Sequence, residues 1–149
     1  MPPRSMTSMP FIATLRRHIL LPLCVFVLGA CATNPVTKKS ELSFVSEAQE
    51  ISIGTQQYLQ NQQSAGGKYL LDPALAAYVS EVGQKLVKVS DRPNLPFEFV
   101  VINDSVPNAW ALPGGKLAIN RGLLTELKSE AELAAVLSHE IVHAAARHG

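Results

Sequence analysis

Two histidines four residues apart, His139 and His143, flank Glu140 in the last helix this sequence encodes, and no other feature constrains the chain as tightly. On an α-helix that spacing separates two side chains by about 40° around the axis and 6 Å along it, so both imidazoles can face one metal ion. Glu140 is turned about 100° from His139, too far for an obvious third ligand but able to reach a water beside the metal. Ser129-Glu130-Ala131-Glu132 has capping-box spacing and is expected to start the helix, which then runs to the end of the chain. Leu133, Leu137, Ile141 and Ala144 form one stripe, and Val136, His139, His143 and Ala146 the opposite one. A helix apolar on nearly every side is expected to be central and buried. Two histidines in a buried face then need polar partners or a metal, since an unpaired buried polar group costs about 1–3 kcal/mol. A lone histidine there would be ordinary core; the pair with Glu140 between them points to metal binding. Zinc held by imidazoles makes a water acidic enough for a neighbouring carboxylate to take its proton during attack on an amide carbonyl, and to pass it on to the leaving amine. His148 lies about 140° round from His143 at the helix end, where a cation suits the dipole, and is read as a solvated terminal residue.

The chain's 149 residues, 47% of them hydrophobic, suffice for one ordinary core and exclude a second full domain. Thirteen basic against twelve acidic residues leave no cationic surplus, which argues against nucleic acid as a partner. Both cysteines lie within the first 31 residues, so the rest of the chain folds without internal disulfides. Arg4, Arg16, Arg17 and His18 precede an apolar run over residues 19–28, the pattern of a secretory signal and too short for a stable transmembrane helix. Leu28-Gly29-Ala30-Cys31 resembles a bacterial lipobox, which implies a signal peptide over residues 1–30 and lipidation at Cys31. Several acyl chains would anchor the protein firmly to a membrane. Ala32 stands where the inner-membrane retention signal has Asp, so the expected place is the outer membrane, facing the periplasm. Losing Arg4, Arg16 and Arg17 leaves ten basic against twelve acidic residues, a formal charge of −2 that says little about partners.

Residues 31–45, with Pro35, Lys38, Lys39 and Ser40, read as a tether. Ser46-Glu47-Ala48-Gln49 predicts a capped helix over about residues 46–62, followed by a polar loop over 61–67. Asp72-Pro73 opens a second helix over about 73–89, whose Leu75, Val79, Val82, Leu86 and Val89 are read as core. Residues 97–102 are β-branched and aromatic between Pro96 and Asn103-Asp104, and predict a strand. Trp110-Ala111-Leu112, the turn Pro113-Gly114-Gly115 and Lys116-Leu117-Ala118-Ile119-Asn120 predict a strand pair, with a short helical turn over 122–127. The fold class is α+β, with two helices, a small sheet and a buried helix bearing the histidines.

Several segments in order resemble the gluzincin metallopeptidases of the HtpX and CAAX prenyl protease family, in particular their periplasmic lipoprotein branch. They are Cys31-Ala32-Thr33-Asn34-Pro35-Val36-Thr37, Ser46-Glu47-Ala48-Gln49-Glu50, Asn108-Ala109-Trp110-Ala111-Leu112-Pro113-Gly114-Gly115, Gly122-Leu123-Leu124 and residues 138–149. The resemblance implies a zincin-like fold and a zinc endopeptidase of the cell envelope acting on misfolded or unassembled outer-membrane proteins. His139 and His143 would be metal ligands, Glu140 the general base and one Zn2+ the cofactor. The strand before the active helix pairs with substrate in zincins. Lys116 to Asn120 is therefore the expected edge strand, approached through Gly114 and Gly115, and Gly114, Gly115, Lys116, Leu117 and Ala118 are the expected substrate-binding residues. The glycine pair reads equally well as a turn needing positive φ.

The resemblance places a third ligand, a Glu, on a later helix, whereas the sequence ends six residues after His143. Glu98, Asp104, Glu126 and Glu130 have no spacing that recommends one as a substitute. Gly149 reads as a C-cap glycine. Residues 46–149 are therefore expected to be the N-terminal part of a longer metallopeptidase domain. Two other classes stay open: a short, catalytically inactive lipoprotein that only binds envelope proteins, and a structural lipoprotein whose histidine pair is chance. Pull-downs indifferent to chelator and to His139→Ala would favour the binding class. The 149-residue chain is expected to bind zinc weakly and hydrolyse little or nothing; a tight 1:1 zinc complex with peptidase activity lost in Glu140→Gln would overturn this.

Overall fold

The structure, a computed structural model, describes residues 31–42 and 45–147; the expected signal segment 1–30, His148 and Gly149 lie outside them. The chain divides into two compact units, Met1–Ala32 with Ser40–Phe44, and Thr33–Lys39 with Val45–Gly149. In the first, the described residues belong to a two-stranded sheet of β1 (Cys31–Thr33) and β2 (Ser40–Leu42). The segment expected as a plain tether thus carries two short strands. No helix among the described residues is long and apolar enough to cross a membrane.

The second unit is α+β. Helix α1 (Glu47–Ser64) begins at the expected capping box: the Ser46 hydroxyl accepts from Gln49 N–H, and the Gln49 side chain accepts from Ser46 N–H. It runs two residues past the expected end, because residues 61–64, read as loop, still complete helical bonds. Helix α2 (Pro73–Val87) starts with Asp72 Oδ1 accepting from Leu75 N–H at 3.0 Å and proline at its first position. It stops two residues short of the expected boundary. Val89 lies outside it and is 84% exposed, so the apolar stripe reaches the core only through Leu75, Val79, Val82 and Leu86.

Strands β3 (Glu98–Ile102), β4 (Ala109–Leu112) and β5 (Lys116–Asn120) form one sheet in the order β3-β5-β4. β3 runs parallel to β5 with Phe99 opposite Leu117, and β4 runs antiparallel with Trp110 opposite Ala118. The expected strand pair is present, joined by Pro113-Gly114-Gly115, whose glycines adopt φ +72° and +82°. Helix α3 (Arg121–Glu126) follows directly, and α4 (Glu130–Ala146) carries the two histidines.

Alternation along the strands gives the sheet two faces. Phe99, Val101, Ala109, Ala111, Leu117 and Ile119 belong to the face packed by α2 and α4, with Val79, Val82, Leu133, Leu137, Ile141 and Ala144 completing the core. On the other face Tyr58 of α1 meets Trp110 edge-on, donates its hydroxyl to Leu117 C=O at 2.8 Å and lies beneath Lys116. Burial, and then the Glu98 charge, push the Tyr58 pKa up. α1 sits so close to the β4–β5 turn that a Cβ on Gly54 would lie 1.8 Å from Pro113 C=O. Glycine-to-alanine in a helix interior ordinarily stabilises by about 1 kcal/mol. Here Gly54→Ala is expected to reverse that sign and destabilise by about 1–3 kcal/mol, read from the midpoint of urea unfolding.

Candidate metal centre

The expectation that helix α4 is central and buried is overturned: it is only half-embedded. Leu133, Leu137, Ile141, Ala144, Ala145 and Ala146 face the core, while Val142 is 46% exposed. The histidine stripe is open: His139 is exposed, and Glu140 and His143 are half-buried. The reason is packing, because a small three-stranded sheet covers only one side of the helix. The Ser129 hydroxyl accepts from Glu132 N–H as expected, but the Glu132 carboxylate returns to Lys128 N–H at 2.6 Å, one residue before the cap.

His139 and His143 turn toward each other with Nε2 atoms 2.9 Å apart and ring planes at 81°. Two imidazole nitrogens on one tetrahedral zinc, each about 2.0–2.1 Å away, stand about 3.3 Å apart. A small opening of the rings therefore admits the ion, and the pair fits two positions of a metal site. Among the described residues no group of three His, Cys, Asp or Glu side chains converges on one point. Of the four carboxylates weighed as substitutes, three have other engagements, while Glu126 is exposed. Glu98 pairs with Lys116, Asp104 accepts from Val106 N–H and the Asn120 amide, and Glu130 accepts the Tyr78 hydroxyl.

Glu140 and His139 line an open groove of about 490 Å³ with Asn108, Ala109, Leu123, Ala135 and Val136. Its far wall is the start of β4. Alanines at 109 and 111 carry nothing beyond Cβ toward α4, so the helix approaches the strand closely and brings Glu140 beside it.

The expectation of an edge strand over Lys116–Asn120, with Lys116, Leu117 and Ala118 open to substrate, is overturned. β5 is the central strand, its five residues are all buried, and both sides of its backbone are paired. Lys116 is held between Glu98 and the Tyr58 ring, and Gly114 and Gly115 serve the turn. The open edge beside the histidines is β4. Asn120 N–H donates to Asn108 C=O at 2.9 Å, so ladder bonds alternate through Trp110–Ala118, and the backbone groups of Ala109 and Ala111 point outward. The outer side of β3 is already occupied, with Tyr69 N–H on Val101 C=O and Asn103 N–H on Gly67 C=O, each 2.8 Å.

A charged cluster missed in the sequence lies where α4 ends. Glu50, 3% exposed, accepts from Arg92 Nη1 and Nη2 at 2.9 Å and from Gly114 N–H at 3.2 Å, and forms an ion pair with Arg147 Nε at 3.2 Å. Arg92 also reaches Glu47. Burial works against the Arg92 charge, and the bonds it donates to Glu50 and Glu47 outweigh that and raise its pKa. The signal was present: Glu50, Gly54, Tyr58 and Gln62 repeat every four residues, which puts a carboxylate on the buried stripe of α1. Arg147, in the left-handed conformation, caps α4 two residues before the glycine expected there. Asn34, also buried, donates from Nδ2 to Ala146 C=O at 3.1 Å. Glu50→Ala, which strands Arg92 in the interior, is expected to cost about 3–5 kcal/mol in chemical denaturation.

Residues 73–149 match the family described as Peptidase family M48. The chain is 48% identical over 71 residues to the mitochondrial metalloendopeptidase OMA1 of Schizosaccharomyces pombe, covering 48% of this chain and 21% of that protein. It is 33% identical over 116 residues to the beta-barrel assembly-enhancing protease of Escherichia coli, covering 78% and 23%. Against the protein of that name from Yersinia pestis it is 34% identical over 100 residues, covering 67% and 20%. The chain thus spans about a fifth of the length of these curated relatives.

Proposed function

The chain belongs to peptidase family M48, and from that premise we propose that it serves a zinc-dependent metalloendopeptidase of the bacterial cell envelope. The observation that carries the reading is the convergence of His139 Nε2 and His143 Nε2, 2.9 Å apart, beside a groove walled by Glu140 and an open strand edge. His139 and His143 would hold the ion as two of its ligands. Zinc bound there supplies Lewis-acid polarisation of a water and of the scissile carbonyl. Glu140 takes the proton from the attacking water and delivers it to the leaving amine nitrogen, which splits a poor leaving group off as a neutral amine. The outward N–H and C=O groups of Ala109 and Ala111 hold the substrate backbone as an added strand. Such pairing reads main chain, not side chains, and suits a peptidase that accepts many unfolded sequences.

The reading extends to the setting. The relatives named as beta-barrel assembly-enhancing proteases, the HtpX and CAAX prenyl protease resemblance and the lipobox together support a lipoprotein anchored through Cys31 in the outer membrane, facing the periplasm. Its substrates are misfolded or unassembled envelope proteins. Residues 46–149 form the N-terminal part of the peptidase domain.

Zinc competition on the 149-residue chain tests this. His139→Ala and His143→Ala should each lower zinc affinity by more than about 100-fold, beyond the usual effect of losing a residue that only supports a ligand. Glu140→Gln should keep zinc while removing any hydrolysis of an unfolded polypeptide. Zinc uptake indifferent to both histidines would sink the proposal.

A further inference from the structure

The segments around Asn34 and Glu50 take no part in the proposed chemistry, yet both converge on the last turn of α4. Arg147 N–H donates to His143 C=O and Ala144 C=O, closing the helix, with φ at 60°. Glycine is the residue favoured there, because it has no Cβ to crowd the left-handed backbone. This chain instead has an arginine, and its guanidinium reaches the buried Glu50 carboxylate at 3.2 Å. The same carboxylate accepts Gly114 N–H, two residues past the end of β4. One buried charge therefore joins the end of the histidine helix to the end of the strand that walls the groove.

We infer that Arg147 and Glu50 are positioning residues, a latch that fixes the last turn of α4, and with it His143, against the turn that ends β4. The inference rests on the metal-centre reading. Neither residue touches the ion or the substrate; Arg147 acts through the His143 carbonyl and Glu50 through Gly114. A helix end frays when only its own carbonyls hold it. The cap satisfies those carbonyls but leaves the sideways position of the turn undefined, and the ion pair to an immobile carboxylate defines it. Asn34 adds a second tie: its Oδ1 accepts from Val36 and Thr37 N–H at 2.9 and 3.1 Å, which aims Nδ2 at Ala146 C=O.

Amide hydrogen exchange on the whole chain, with Arg147→Gly and Arg147→Lys, decides between a latch and a plain cap by sign. Glycine improves a plain cap, so exchange at residues 143–146 would slow. The latch requires the reverse, about tenfold faster exchange in Arg147→Gly, with Arg147→Lys within about threefold of the parent because its ammonium still reaches Glu50. The Glu50–Arg92 pair is untouched in both variants, so the fold persists. Zinc affinity by competition should fall about tenfold in Arg147→Gly, with an altered cobalt absorption spectrum, and recover in Arg147→Lys. Slower or unchanged exchange in Arg147→Gly, or Arg147→Lys exchanging as fast as Arg147→Gly, overturns the latch. Faster exchange with unchanged zinc affinity and cobalt spectrum overturns the positioning role. A parent chain with no histidine-dependent zinc uptake overturns the metal-centre reading instead, and the exchange result still decides the latch.

Discussion

The Glu50 carboxylate is the point on which the second unit is organised. A carboxylate removed from water is costly unless every oxygen is paired. Here α1 carries the carboxylate and its partners come from three other places: Arg92 from the loop before β3, Arg147 from the end of α4 and Gly114 from the β4–β5 turn. Hydrophobic packing tolerates small sliding between elements, but a buried charge with directional partners does not. The four elements therefore meet in one register, and the apolar core around Leu117 and Ile141 fills in beneath it.

The position of the histidines follows from what lies opposite them. Ala109 and Ala111 leave room for α4 to settle on β4, and the sheet's order leaves β4 as an edge. The groove arises where the helix overhangs that edge, so the Glu140 carboxylate and the outward backbone groups of β4 share one opening. A longer side chain at either alanine would lift the helix. The far edge, on β3, is closed by the chain returning through Lys68, so the open edge of the sheet lies on the side where Glu140 stands.

Much of the local structure was legible from residue order. Ser46, Asp72 and Ser129 each start a helix because a side-chain oxygen accepts from an amide three residues on, a bond that needs nothing from the rest of the chain. The turn at Pro113-Gly114-Gly115 is equally local. What failed was of another kind. Residues 61–64 stayed helical although polar, residues 31–42 gained two strands, and the histidine stripe stayed open although the helix is apolar all round. Each depends on what packs against the segment.

The sequence by itself determined how His139, Glu140 and His143 stand relative to one another: their spacing sets their angles on any helix, because helical geometry is the same wherever the helix lies. Only the tertiary structure decided which strand is the edge. β5 reads as well as β4 for that role, and the parallel pairing with β3, a contact between segments 18 residues apart, buries it. The tertiary structure also decided that Glu50, Arg92 and Arg147 meet. Residues 42 or more positions apart carry no mark of their partnership, since burial and pairing of charge are properties of a folded interior and not of a neighbourhood along the chain.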